Sequence, residues 1–73
     1  MRGTKEMVEI MDSFEQTLKS SYSGYVGEKV ERLDPHGRPV DGYPKDYFYT
    51  GGKTNDLFKM FMCGYMAGRI NYM

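Results

Sequence analysis

Seventy-three residues make one domain, spanning residues 1–73, and a chain of this size buries only about 60% of the surface its unfolded form exposes, so its folded state is marginal. Ten basic and ten acidic residues cancel, which excludes the excess positive charge that draws proteins to nucleic-acid phosphates or acidic membranes. A single cysteine and a single histidine exclude an intrachain disulfide and argue against a zinc site, leaving oligomerisation or a large partner as the usual support for so small a fold.

From Thr4 onward, Met7, Met11, Phe14 and Leu18 recur at the i, i+4, i+7, i+11 spacing of one helical face, with Ile10 on its flank. Glu6, Glu9, Asp12 and Glu15 fall on the opposite half, so the predicted helix is amphipathic with an acidic outer face. Thr4 is suited to cap it, and the run from Ser20 to Gly24 is suited to end it. The acidic stripe reads first as a solvated face and second as a surface for a basic partner groove.

Val26, Val30 and Leu33 also keep helical spacing, but they lead into Asp34-Pro35-His36-Gly37, whose residues match a type I turn closed by a left-handed glycine. That turn predicts a hairpin with strands over 27–33 and 38–41, the second shortened or held at an edge by Pro39. After a second turn at Gly42–Lys45, the aromatic run Asp46-Tyr47-Phe48-Tyr49-Thr50 predicts a third short strand. A last helix, capped by Thr54 or Asn55 with Asp56 in its first turn, carries Leu57, Phe61, Gly64, Tyr65 and Gly68 on one side and Met62, Cys63, Met66 and Ile70 toward the other. The expected fold is therefore α+β, with N- and C-terminal helices packed on a small two- or three-stranded antiparallel sheet.

Chemistry is sparse. Gly51-Gly52-Lys53-Thr54 has the Gly-Lys-Thr end of a phosphate-binding loop, but Tyr47 stands where that motif needs its first glycine, so the segment reads as a glycine-rich turn that opens a helix. His36 and Cys63 form the one available base and nucleophile pair; His36 belongs to an exposed turn tip and Cys63 is expected to be a small buried hydrophobe. No catalytic or metal residues are assigned, no cofactor is expected, and the protein reads as a non-enzyme. Apolar stretches are too short for the roughly 20 residues of a membrane span, the N-terminus has no signal-peptide core, and the expected compartment is the cytoplasm.

Binding is the alternative to chemistry. Tyr43, Tyr47 and Tyr49, with Arg38 nearby, have the contact area and polar ends favoured at binding hot spots, and strand alternation sends Tyr47 and Tyr49 one way and Phe48 the other. Met62, Met66 and Ile70 add adaptable apolar contacts on the last helix. Gly64 and Gly68 form a small-x-x-x-small pattern, which reads first as close packing within the domain and second as a helix crossing at a dimer or partner interface. A small dimeric nucleic-acid-associated regulator using Arg32, Arg38, Lys45 and Lys53 is the alternative function.

The phrase Phe61-Met62-Cys63-Gly64-Tyr65-Met66-Ala67-Gly68-Arg69 resembles an aromatic-x-x-Gly-aromatic-x-Ala-x-Arg helix ending found in small open reading frames of tailed bacteriophages. The resemblance implies an early host-takeover factor that binds and inhibits a host protein, such as RNA polymerase, a nuclease or a defence complex. In that case the host cytoplasm is its compartment, and no functional residue carries over.

Overall fold

The computed structural model describes residues 4–22 and 27–72, with the side chains of 21, 22 and 68–72 outside that description. Two helices form the frame: α1 over Lys5–Tyr22 and α2 over Gly52–Tyr72. α1 follows its periodicity. Met7, Ile10, Met11, Phe14 and Leu18 are all buried, and Thr4 caps the helix by accepting a hydrogen bond from the Met7 N–H at 3.2 Å. Across from them Phe48, Tyr49 and Phe58 complete the core, with Val30, Leu57, Phe61, Met62 and Tyr65 half-buried at its margin.

Aromatic rings set the geometry of that core. Phe14 meets Tyr49 and Phe58 edge-on at centroid distances of 5.5 and 5.2 Å, and Phe58 meets Phe48 and Tyr49 edge-on at 5.2 Å each. Edge-to-face contact places the positive ring edge on the negative ring face, adding about 0.5–1.5 kcal/mol per pair beyond area burial.

The expected sheet does not form. Among the described residues there is no strand, only one antiparallel bridge between Arg32 and Tyr49, flanked by the bonds Leu33 N–H to Phe48 O (3.0 Å) and Thr50 N–H to Glu31 O (2.9 Å). The architecture is therefore all-α, not α+β. The predicted turn at Asp34–Gly37 is present, since the Gly37 N–H reaches Asp34 O at 3.0 Å, but residues 38–41 do not return along 27–33 as a hairpin. Two further turns follow at once, closed by Tyr43 N–H to Val40 O (3.2 Å) and Tyr47 N–H to Pro44 O (3.0 Å). Three turns within fourteen residues, interrupted by Pro39 without an N–H, leave no run long enough for a ladder.

Gly37 explains where the turn-rich arc of residues 34–50 is anchored. It is buried at φ 76°, and a Cβ there would overlap the Met7 side chain and crowd Met11. Only glycine lets the turn lie directly on α1.

α2 also starts differently from the expected cap at Thr54 or Asn55. Its first turn begins at Gly52, and the Gly51 carbonyl accepts the Asn55 N–H at 2.9 Å. Gly51 has no side chain to cap with, and the Glu28 carboxylate does so from 26 residues away, accepting the Thr54 N–H at 2.9 Å. A Cβ on Gly51 would overlap that carboxylate, so the glycine makes room for the cap. Asn55 instead holds the arc: its buried Oδ1 accepts from the Phe48 and Tyr49 N–H groups at 2.7 and 3.3 Å, and its Nδ2 donates to Asp46 O at 3.4 Å.

Candidate partner-binding surface

The residues singled out as contacts fall into three groups. Tyr43 is exposed, and its ring packs on half-buried Tyr47 at a centroid distance of 5.7 Å, so two of the three tyrosines are brought together on the turn-rich arc. Tyr49 is fully buried and belongs to the core; the alternation that paired it with Tyr47 fails because Phe48 and Tyr49 both turn inward where no regular strand runs. On α2, Met66 is exposed, Met62 is half-buried against the core, and the Ile70 side chain lies outside the described residues.

Arg38 is exposed but engaged. Its guanidinium makes two bonds to the Asp34 carboxylate, Nε to Oδ2 and Nη2 to Oδ1, each 3.1 Å, and the same Oδ2 accepts the His36 and Arg38 backbone N–H groups at 2.9 and 3.1 Å. The Arg38 side chain is the main cause that holds the Asp34 carboxyl far below the ordinary carboxylate range, with the two backbone donors helping. His36 sits at the exposed tip of this turn, as its position in the sequence suggested.

The acidic face of α1 is only partly solvated. Arg32 donates from Nε to Glu15 Oε2 and from Nη2 to Asp12 Oδ1, both at 2.6 Å, and from Nη1 to the Pro35 carbonyl at 2.9 Å. The Tyr49 hydroxyl donates to the same Glu15 oxygen at 2.7 Å. Burial lowers the Arg32 pKa, but the two carboxylates outweigh it and raise the net value; burial first, and then the bond to Glu15, push the Tyr49 phenol upward. The basic groove for the acidic stripe is thus supplied in part by the chain itself. Sequence reading treated Arg32 as a surface cation; its signal was that Asp12 and Glu15, one turn apart, present two carboxylates side by side.

The glycine-rich turn likewise holds an internal anion. Glu28 occupies the start of α2, the place a phosphate takes in a complete phosphate-binding loop, and its pKa is lowered chiefly by the Thr54 N–H against an opposing push from burial. Lys59 is paired with Asp46 at 2.8 Å, tying α2 to the last turn of the arc. Between the helices, Phe14, Thr17, Leu18, Leu57 and Phe61 line an apolar depression of about 150 Å³, below the size of ordinary small-molecule sites.

The outer face of α2 departs most from expectation. Cys63 is exposed rather than buried, Met60 is 72% exposed, and Gly64 and Ala67 are exposed as well. Among the described residues nothing lies within 4 Å of a Cβ placed on Gly64, so this glycine makes no close packing contact with them. The reason is coverage: α1 and the arc take only the Thr54, Asn55 and Phe58 side, with Leu57, Phe61, Met62 and Tyr65 at its edges. Among the described residues no group of three or more His, Cys, Asp or Glu is placed to hold a metal, and no helix is long and apolar enough to cross a membrane.

No protein-family model, curated protein or solved structure matches this chain.

Proposed function

We propose that the chain is a small non-enzymatic protein-binding factor that acts by covering a surface of another protein. The observation that carries this reading is the exposed Tyr43 ring, seated on Tyr47 within an arc fixed by three hydrogen-bonded turns. A tyrosine held in this way offers contact area and a hydroxyl at low ordering cost, which is what interface anchors need. Inhibition of a host protein, such as RNA polymerase or a nuclease or defence complex, is the sharpest form of the proposal and rests on the bacteriophage-like helix ending.

The alternative, a dimeric nucleic-acid regulator, draws less support because Arg32 and Arg38 are already engaged by carboxylates. Capture from a bacterial lysate at moderate salt tests the proposal. The wild-type chain is expected to retain one stoichiometric protein that Tyr43→Ala releases while remaining folded. Retention of nucleic acid alone, lost steeply with added salt, would transfer support to the alternative.

A further inference from the structure

We propose that the N-terminal end of α2 is a binding site for a phosphate group, free or carried as a small monoester, and that the Glu28 carboxylate is its built-in competitor. The first N–H groups of a helix have no partner within it, and the helix dipole favours an anion beside them. Glu28 answers part of that demand, accepting the Thr54 N–H at 2.9 Å. The Thr54 hydroxyl is left over. Thr54 is fully buried, and its Oγ1 has no hydrogen-bond partner among the described residues. The Thr54 N–H is the main cause that favours ionised Glu28, against burial, and the Thr54 hydroxyl and Lys53 add to it, so the hydroxyl faces the carboxylate without bonding to it. A buried hydroxyl aimed at an anion position and left without a bond is a donor that a further ligand oxygen would satisfy.

Shape and charge select the ligand. A carboxylate is flat and brings two oxygens, whereas a phosphate group is tetrahedral and brings more, enough to take the Thr54 N–H, the Thr54 hydroxyl and the Lys53 N–H together. Lys53 also supplies a cation beside Glu28, since its Nζ lies 3.4 Å from where a Cβ on the exposed Gly27 would stand. Gly51 provides the room, because a Cβ there would overlap the carboxylate. Gly52 is exposed, with the Tyr47 hydroxyl at the rim of the site, 3.4 Å from where a Gly52 Cβ would stand. Glu28 is half-buried and lies outside the apolar core, so it can rotate outward without opening that core. One anion then replaces another, and repulsion from the displaced carboxylate keeps the wild-type site weak, in the millimolar range.

Amide NMR of the purified full chain at neutral pH, titrated with inorganic phosphate against chloride of equal ionic strength, is expected to shift the Gly52, Lys53 and Thr54 amides saturably in the wild type. Glu28→Ala is expected to bind phosphate at least about tenfold more tightly. Phosphate should also restore more of the melting temperature lost in Glu28→Ala than of that lost in Tyr49→Phe, which registers the general effect of phosphate on a folded chain. Thr54→Val keeps the shape and removes the unpartnered hydroxyl, so it is expected to leave the melting temperature unchanged or raised while weakening phosphate binding at least about tenfold. Glycerol phosphate in a parallel titration separates the sources: binding as tight as that of inorganic phosphate assigns the site to monoesters, and weaker binding assigns it to the free ion. Absence of a saturable shift at these amides in the wild type overturns the proposal whether or not Glu28→Ala folds, and so does binding that is indifferent to Thr54→Val.

Discussion

Glu15 Oε2 is the atom on which the interior polar chemistry converges, since it accepts from both Arg32 Nε and the Tyr49 hydroxyl. Arg32 in turn reaches Asp12, so four residues from α1, the bridge segment and the core form one network. Removing a donor leaves a half-buried carboxylate short of a partner, which costs more than the bond itself contributes. Tyr49→Phe is expected to lower stability by about 1 kcal/mol and Arg32→Met by about 1–2 kcal/mol, the latter held down because Asp12 is largely exposed to solvent. Because both donors serve one oxygen, the double variant should depart from additivity by at least about 0.5 kcal/mol in a urea-melt cycle. Additive losses would show that the two bonds act independently. The same network predicts an alkaline limb. The folded-state pKa of Tyr49 lies above its ordinary value of 10.0, so the contribution of the neutral phenol is complete below that pH and is lost as pH rises beyond it. Tyr49→Phe should remove much of that decline, as measured by thermal melts on either side of the ordinary tyrosine pKa.

At the scale of elements, two glycines in comparable chemistry have opposite consequences. Gly37 sits at positive φ with Met7 and Met11 where a Cβ would go, so Gly37→Ala is expected to cost about 2–3 kcal/mol through backbone strain and overpacking. Gly64 is helical with open space around it, so Gly64→Ala is expected to stabilise the folded monomer by about 0.5–1 kcal/mol, read by urea denaturation at low protein concentration. A loss at Gly64 would mean that the position is already crowded in the monomer. These cases also show what the sequence made legible. α1 and its Thr4 cap were readable because an amphipathic period and an N-cap are local signals, and so was the Asp34–Gly37 turn. The partner of residues 31–33 was not, because the choice between the nearby 38–41 and the distant 48–50 depends on Asn55 holding the latter in place. The start of α2 was missed for the same reason: its cap comes from Glu28, far away in the chain, and no local pattern announces it. Of the candidate contact residues, Tyr43 and Met66 lie exposed and Tyr49 lies buried, since alternation has no force where only a single bridge forms.

For the whole molecule, two carboxylates work beside the Arg32 network and the Asn55 bonds in place of the missing sheet. Glu28 fastens the chain after α1 to the start of α2, and Asp34 gathers the His36 and Arg38 backbone with the Arg38 guanidinium into the turn that docks on α1. Each has a folded-state pKa below its ordinary value, 4.5 for Glu28 and 3.8 for Asp34. Their contributions are therefore full above those values and disappear as pH falls through the lower folded-state ones, because the unfolded chain then binds the proton more readily than the folded one. In a domain this small, unfolding is expected to be a single cooperative step, so loosening either tie lowers the melting temperature of the whole. Thermal melts followed by circular dichroism from about pH 7 to about pH 3 should hold steady at first and then fall below about pH 4.5. Glu28→Gln should begin from a lower melting temperature at neutral pH and decline less steeply on acidification, because the amide keeps the shape of the cap but has no charge to lose. An acid limb unchanged by Glu28→Gln would mean that its carboxylate does not secure α2, and that the helix start depends on Asn55 and the aromatic core alone.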